Sequence, residues 1–166
     1  MSVTRCLLVG ALMLSCVWQS GSYQRRHRLR SIKADVSAVK ISKKLVPTEV
    51  LRAFGQKYPT ATITGQLKEK REGIVYYEIE SIDSSRHRDV LFQADGTLVE
   101  VSETISLDDL PQFVRDSVTT KYRDVTILSA ERSTRDSHIE YELVLGSGKK
   151  RTEVVVNAAG KVFKIH

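Results

Sequence analysis

Residues 46–101 recur as residues 110–165 at a constant offset of 64, without a gap. Pro47 falls on Pro111, Val50 on Val114, Lys57-Tyr58 on Lys121-Tyr122, Tyr77-Glu78 on Tyr141-Glu142, Val90 on Val154 and Gly96 on Gly160. Conservative pairs fill the intervals: Val46/Leu110, Phe54/Val118, Ile79/Leu143, Phe92/Val156 and Val101/Ile165. An offset kept through every element means that whatever one half folds into, the other folds into as well.

Each unit opens with a helical stripe. Val46, Val50, Phe54 and Tyr58 recur every four residues, as do Leu110, Val114, Val118 and Tyr122, with Phe113 widening the second stripe. Pro47 and Pro111 suit a first helical turn, where a missing N–H costs little, and Asp108 and Asp109 are placed to cap the second helix. Alternating segments follow. Val75, Tyr77 and Ile79 share one strand face, as do Ile139, Tyr141, Leu143 and Leu145. Further strands run through Val90/Phe92 and Val154/Val156, and through Val99/Val101 and Phe163/Ile165. Looser ones span 61–67 and 125–130. Asp95-Gly96 reads as a two-residue hairpin, with Ala159-Gly160 in the same place, and 84–88 and 146–150 read as the other hairpin loops. The expected fold is α+β: two repeats of a helix plus a four-stranded antiparallel meander, joined into one broad sheet with helices packed on one face.

The ends of the chain differ from this body. Arg5 precedes an uncharged apolar run from Cys6 to Trp18, shorter than the ~20 residues needed to span a bilayer. It fits a secretory leader, 1–22, with Ser20 and Ser22 permitting cleavage before Tyr23. Lipid attachment at Cys16 is the alternative, and a buried N-terminal helix the competing structural reading. Both cysteines, Cys6 and Cys16, lie in this leader, so a mature chain from Tyr23 has no disulfide and rests on its apolar core.

Residues 23–44 form a basic linker, with a short helix expected around Ile32–Val39. Arg25, Arg26, Arg28, Arg30, Lys33, Lys40, Lys43 and Lys44 stand against Asp35 alone, a balance of +7. The whole chain carries +6, so residues 45–166 carry −2, with 17 basic and 19 acidic side chains. The basic charge therefore belongs to a tether and not to the domain, and nucleic acid is not an expected partner. Contact with an anionic envelope surface is one use for the tether, and simple solvated extension the other.

At this point the residues carry a resemblance. Val46-Pro47, Val50, Tyr58-Pro59-Thr60-Ala61-Thr62-Ile63, Tyr76-Tyr77-Glu78-Ile79 and the run from Val90 to Val101 resemble the PepSY-like family, which is related in fold to the secreted β-lactamase-inhibitor protein. The likeness covers both units, taken as 45–103 and 104–166. The second departs from it at Tyr122-Arg123 and Ala159-Gly160. The resemblance implies a non-catalytic domain outside the cytoplasm, periplasmic or secreted, that binds or inhibits a secreted enzyme such as a peptidase.

The residues themselves carry no catalytic set. His27, His87, His138 and His166 have no second His at helical spacing, and neither H-E-x-x-H nor G-x-S-x-G occurs. Gly146-Ser147-Gly148-Lys149-Lys150 lacks the glycine spacing of a phosphate loop and joins two strands. No metal or other cofactor is expected.

Binding is the remaining expectation. If Tyr77, Ile79, Tyr141 and Leu143 face the helices, the opposite sheet face carries Tyr76, Glu78, Glu80, Leu91 and Glu100 from the first unit. The second adds Glu140, Glu142, Glu153, Val155 and Lys164. That face is acidic with apolar anchors, suited to a basic protein partner or to the chain's own linker; the competing reading is an ordinary solvated sheet face. Edge strands at either end allow weak pairing, so a monomer or weak dimer is expected.

Overall fold

The computed structural model of the protein describes residues 37–164. The leader with Cys6, Cys16 and Trp18, the arginines from Arg25 to Arg30, Lys33, Ile165 and His166 lie outside the described residues. Among the described residues nine strands form one antiparallel sheet in sequence order: β1 (Ser37–Lys40), β2 (Thr62–Arg71), β3 (Ile74–Asp83), β4 (Arg86–Gln93), β5 (Leu98–Ile105), β6 (Thr126–Arg135), β7 (His138–Ser147), β8 (Lys150–Asn157) and β9 (Val162–Lys164). Helix α1 (Thr48–Lys57) precedes β2, and α2 (Gln112–Lys121) precedes β6. This is an α+β fold, with four strands after each helix.

Pro47 and Pro111 stand one position earlier than the first turn. Each is the N-cap, with extended ψ near 142°, and its carbonyl accepts the first helical bonds, from Leu51 and from Val114 and Arg115. A proline at that place has no N–H to leave unsatisfied and stiffens the entry. Asp108 and Asp109 do not cap α2; they belong to the preceding turn, where the Asp108 N–H donates to Ser106 Oγ. Both helices end as their stripes predict, with the N–H of Tyr58 on Phe54 O and that of Tyr122 on Val118 O.

The stripes bury two clusters. Val46, Val50 and Phe54 pack on Ile79, Val90 and Phe92; Leu110, Val114 and Val118 pack on Ala130, Tyr141, Leu143, Leu145, Val154 and Val156. Each fully buried side chain of this kind contributes about 1.5–3 kcal/mol. Phe113 lies at the rim, 41% exposed and edge-on to Tyr141 at 6.0 Å. Val101 of the first cluster pairs with Thr134, and Ile105, against the second, pairs with Ala130. Residues four apart on a strand share a face, so both helices lie on the same side of the sheet.

Three local features differ from the sequence reading. Residues 37–44, assigned to the linker, form β1 and the start of a single 3-10 turn at Lys43–Leu45, so the helix expected around Ile32–Val39 is strand from Ser37 on; Ser37–Lys40 pairs with Lys70–Leu67 along the edge of β2. The free edge of β2 offers backbone donors and acceptors, which a charged, four-residue segment can fill without a buried side chain of its own. The Asp95-Gly96 hairpin is a three-residue loop, closed by Gln93 N–H on Thr97 O, with Gly96 at φ +85°; Asn157–Lys161 repeats it around Gly160 at φ +74°. A left-handed glycine after a type I turn gives this longer loop, where a two-residue loop needs positive φ at its first or both central positions. The hairpin loops read at 84–88 and 146–150 are shorter, since Arg86–Arg88, Gly146–Ser147 and Lys150 lie inside strands.

Candidate functional site

Cross-strand register sets the residues of the sheet's helix-free face into lateral rows. One row runs Leu67, Glu78, Leu91, Glu100, Arg135, His138. The next runs Gly65, Glu80, Asp89, Ser102, Ser133, Glu140. Beyond β5 a third runs Thr104, Glu131, Glu142, Val155, Phe163. Tyr76 lies between Glu69 and Gln93, and Glu153 beside Val144. The candidate residues Tyr76, Glu78, Glu80, Leu91, Glu100, Glu140, Glu142, Glu153 and Val155 thus share one face. Lys164 does not: it pairs with Val154, a core residue, and stands on the helix side. A β-bulge between Leu91 and Phe92 makes Val99 the extra residue of β5 and keeps Glu100 opposite Leu91.

The face is not the uniformly solvated surface of the competing reading. Leu91 is 1% exposed, Glu100 2% and Glu78 6%, although both helices lie on the other side. Buried carboxylates need partners. Arg71, at the end of β2, places its Nη2 2.7 Å from Glu69 Oε2 and its Nη1 3.3 Å from Glu100 Oε2, reaching over β3 and β4. Arg135 adds its Nη2 at 2.6 Å from the same Glu100 oxygen. The Ser102 and Ser133 hydroxyls bond one another across β5 and β6. Glu78, Asp89, Glu131 and Glu142 are each engaged as well. Glu69, Arg71, Asp89 and Arg135 escaped the sequence reading; extending the alternation of β2 past Leu67 and that of β6 past Ala130 finds three of them.

On the helix side the junction between the halves is also charged. Glu103, on β5, lies between Arg88 and Arg132, with Arg88 Nε at 3.4 Å and Arg86 Nη1 at 3.6 Å from its Oε2; Arg132 pairs with its other oxygen. The Arg88 guanidinium stacks 4.3 Å over the Tyr58 ring. Burial pushes the Tyr58 hydroxyl above its ordinary value; Arg88 pulls it down and Glu103 raises it further. Among the described residues no three His, Asp or Glu side chains converge as a metal site, and no helix is long and apolar enough to cross a membrane.

The model of the PepSY-like, beta-lactamase-inhibitor-like family matches the chain twice, over residues 32–99 and 75–164. The chain belongs to the PepSY-like family. The two matches overlap, so their bounds do not coincide with the 46–101 and 110–165 units. No curated protein matches the chain.

Among solved structures, a protein from Bacteroides eggerthii described as periplasmic superposes at TM-score 0.58, with 18% identity over 71% of this chain and 86% of that one. A DUF2874 family protein from Bacteroides uniformis gives 0.56, with 16% identity over 70% and 86%. A BLIP-like protein from Bacteroides fragilis gives 0.50, with 19% identity over 72% and 84%. At these identities the likeness is one of fold.

Proposed function

We propose that this PepSY-like chain is an exported, non-catalytic binding protein that takes a basic protein partner on the helix-free face of its sheet. The partner class is a secreted or envelope enzyme such as a peptidase, and binding inhibits or regulates it. The supporting observation is the face itself: aligned carboxylates with Tyr76, Val155 and Phe163 among them, on a platform whose two core clusters lie on the other side. Apolar and aromatic anchors within a charged surround suit a protein partner better than a small substrate. The apolar leader supports export, and the description of one fold neighbour as periplasmic agrees with that address.

Capture from the native envelope fraction tests the proposal. The wild-type chain is expected to retain a partner saturably, and a Glu140→Lys/Glu142→Lys chain to lose it. A wild-type chain that retains nothing saturable refutes the binding role. The runner-up is tethering to an anionic lipid or polymer through the basic segment, supported by the confinement of the +7 balance to residues 23–44. Because 37–44 include β1, the deletion that tests it removes 23–36 only. Co-sedimentation with envelope material that survives this deletion refutes it.

A further inference from the structure

We propose that residues 23–36 of this chain dock on the same acidic face and close it, so that an outside partner must displace them. This rests on the reading of that face as the binding surface. Three observations converge on it.

The first is where the described chain begins. Ser37 pairs with Lys70 at the β2–β3 hairpin end, and Ala38 with Glu69, so β1 enters beside Glu69, Arg71 and Tyr76. The second is reach. Fourteen residues extend to at most about 46–50 Å. Nine strands about 4.8 Å apart span about 38 Å. A segment leaving that corner can cross the whole face.

The third is charge. Residues 23–36 carry Arg25, Arg26, Arg28, Arg30 and Lys33 against Asp35. Arg26, Arg28 and Arg30 alternate, so an extended segment turns three guanidiniums to one side. On the sheet, the carboxylates of the rows described above outnumber Lys40, Arg71, Arg135 and Arg151.

Tryptic cutting after Arg25 to Lys33 in the exported chain, followed by mass, is the test. It compares wild type with Glu80→Gln/Glu140→Gln/Glu142→Gln. A control chain, Glu49→Gln/Asp108→Asn/Asp109→Asn, loses the same number of carboxylates from other surfaces. At about 20 mM salt, cutting of wild type and control is expected to be at least about fivefold slower than that of the face variant. At about 0.5 M salt, where screening acts within a few ångströms, the three rates are expected to converge. Equal rates at low salt overturn the proposal, as does a control that is cut as fast as the face variant. Protection that grows with protein concentration also overturns it, by assigning the segment to a second copy. Resistance of 37–164 to cutting reports an intact fold; if the triple variant fails there, Glu140→Lys alone takes its place. A chain that passes yet captures no partner refutes the binding role only. A chain that captures a partner while its segment is cut freely refutes the closed face only.

Discussion

Glu100 separates a binding carboxylate from a structural one. It is 2% exposed and bridges two guanidiniums, Arg71 at 3.3 Å and Arg135 at 2.6 Å. Deleting one member of a buried ion pair strands the other and costs about 3–5 kcal/mol. Here the stranded cation of consequence is Arg71, whose side chain is 11% exposed and retains Glu69. Arg135 is 43% exposed and adds at most about 1 kcal/mol. Glutamine keeps one carbonyl acceptor, so Glu100→Gln is expected to destabilise by about 2–3 kcal/mol. With a urea m-value of about 1–3 kcal/mol/M, the midpoint falls by about 0.7–3 M. Replacing both charges, Arg71→Met with Glu100→Leu, is expected to recover most of that loss, because an apolar pair in a buried site leaves no unpaired charge. Glu140→Gln, on a half-buried residue of the same face, is expected to leave the midpoint nearly unchanged. A Glu100→Gln chain that unfolds within about 0.5 kcal/mol of wild type, yet captures no partner, refutes this reasoning and makes Glu100 a recognition residue.

Gly96 and Gly73 both have positive φ, but a Cβ on Gly96 meets the Glu49 carbonyl oxygen at 2.8 Å while one on Gly73 meets nothing within 4 Å. Gly73→Ala is expected to cost about 1–2 kcal/mol from backbone strain alone, and Gly96→Ala at least about 1 kcal/mol more; equal shifts in thermal melting contradict the close approach. The Tyr58 hydroxyl titrates above its ordinary value in the fold, so its contribution is complete below pH 10 and is lost as pH rises through the raised value. Alkaline unfolding of Tyr58→Phe is therefore expected to be flatter than that of wild type, and superimposable curves refute the shift. Asp95 accepts the Thr97 N–H at 2.9 Å, which holds its carboxyl below the ordinary 3.8. Its contribution is present above that ordinary value and lost as pH falls through the depressed one, a loss that Asp95→Asn removes; carboxyl NMR titration reads the shift directly.

Much of the fold was legible because the offset of 64 is constant and gapless, so each strand in the second half keeps the inward and outward alternation of its counterpart in the first. Both helices, the hairpins after Gln93 and Asn157, and the shared face of Tyr76, Glu78, Glu80 and Leu91 with Glu140, Glu142 and Val155 follow from spacing alone. What spacing does not carry is register between strands that no tight turn joins. Leu67, Glu69 and Arg71 continue the alternation of β2, but spacing does not show that Arg71 reaches over β3 and β4 to Glu100. Arg88 reads as a loop residue until Ser81 and Glu103 are seen on either side of it. β1 has no apolar pattern at all; its pairing is decided by the free edge of β2.

The pairing of β5 with β6 shows how that missing register is specified. Every other strand pair from β2 onward is closed by a short turn, but 20 residues containing α2 lie between Ile105 and Thr126. A turn therefore does not set the alignment, and a slip of one residue would exchange the two faces. Polar pairs occupy the places where a turn would have acted. Glu103 meets Arg132 on the helix side, while Glu100 meets Arg135 and Ser102 meets Ser133 on the other. In the slipped register Arg132 would leave Glu103, and Arg135 would leave Glu100, placing buried carboxylates opposite groups that cannot neutralise them. The apolar clusters discriminate against such a slip less sharply than the charges do, since Val101 and Ile105 sit at the rims of two separate cores. The charges at the junction thus align the two halves, and in aligning them they build the continuous rows on which a partner, or the chain's own basic segment, is proposed to lie.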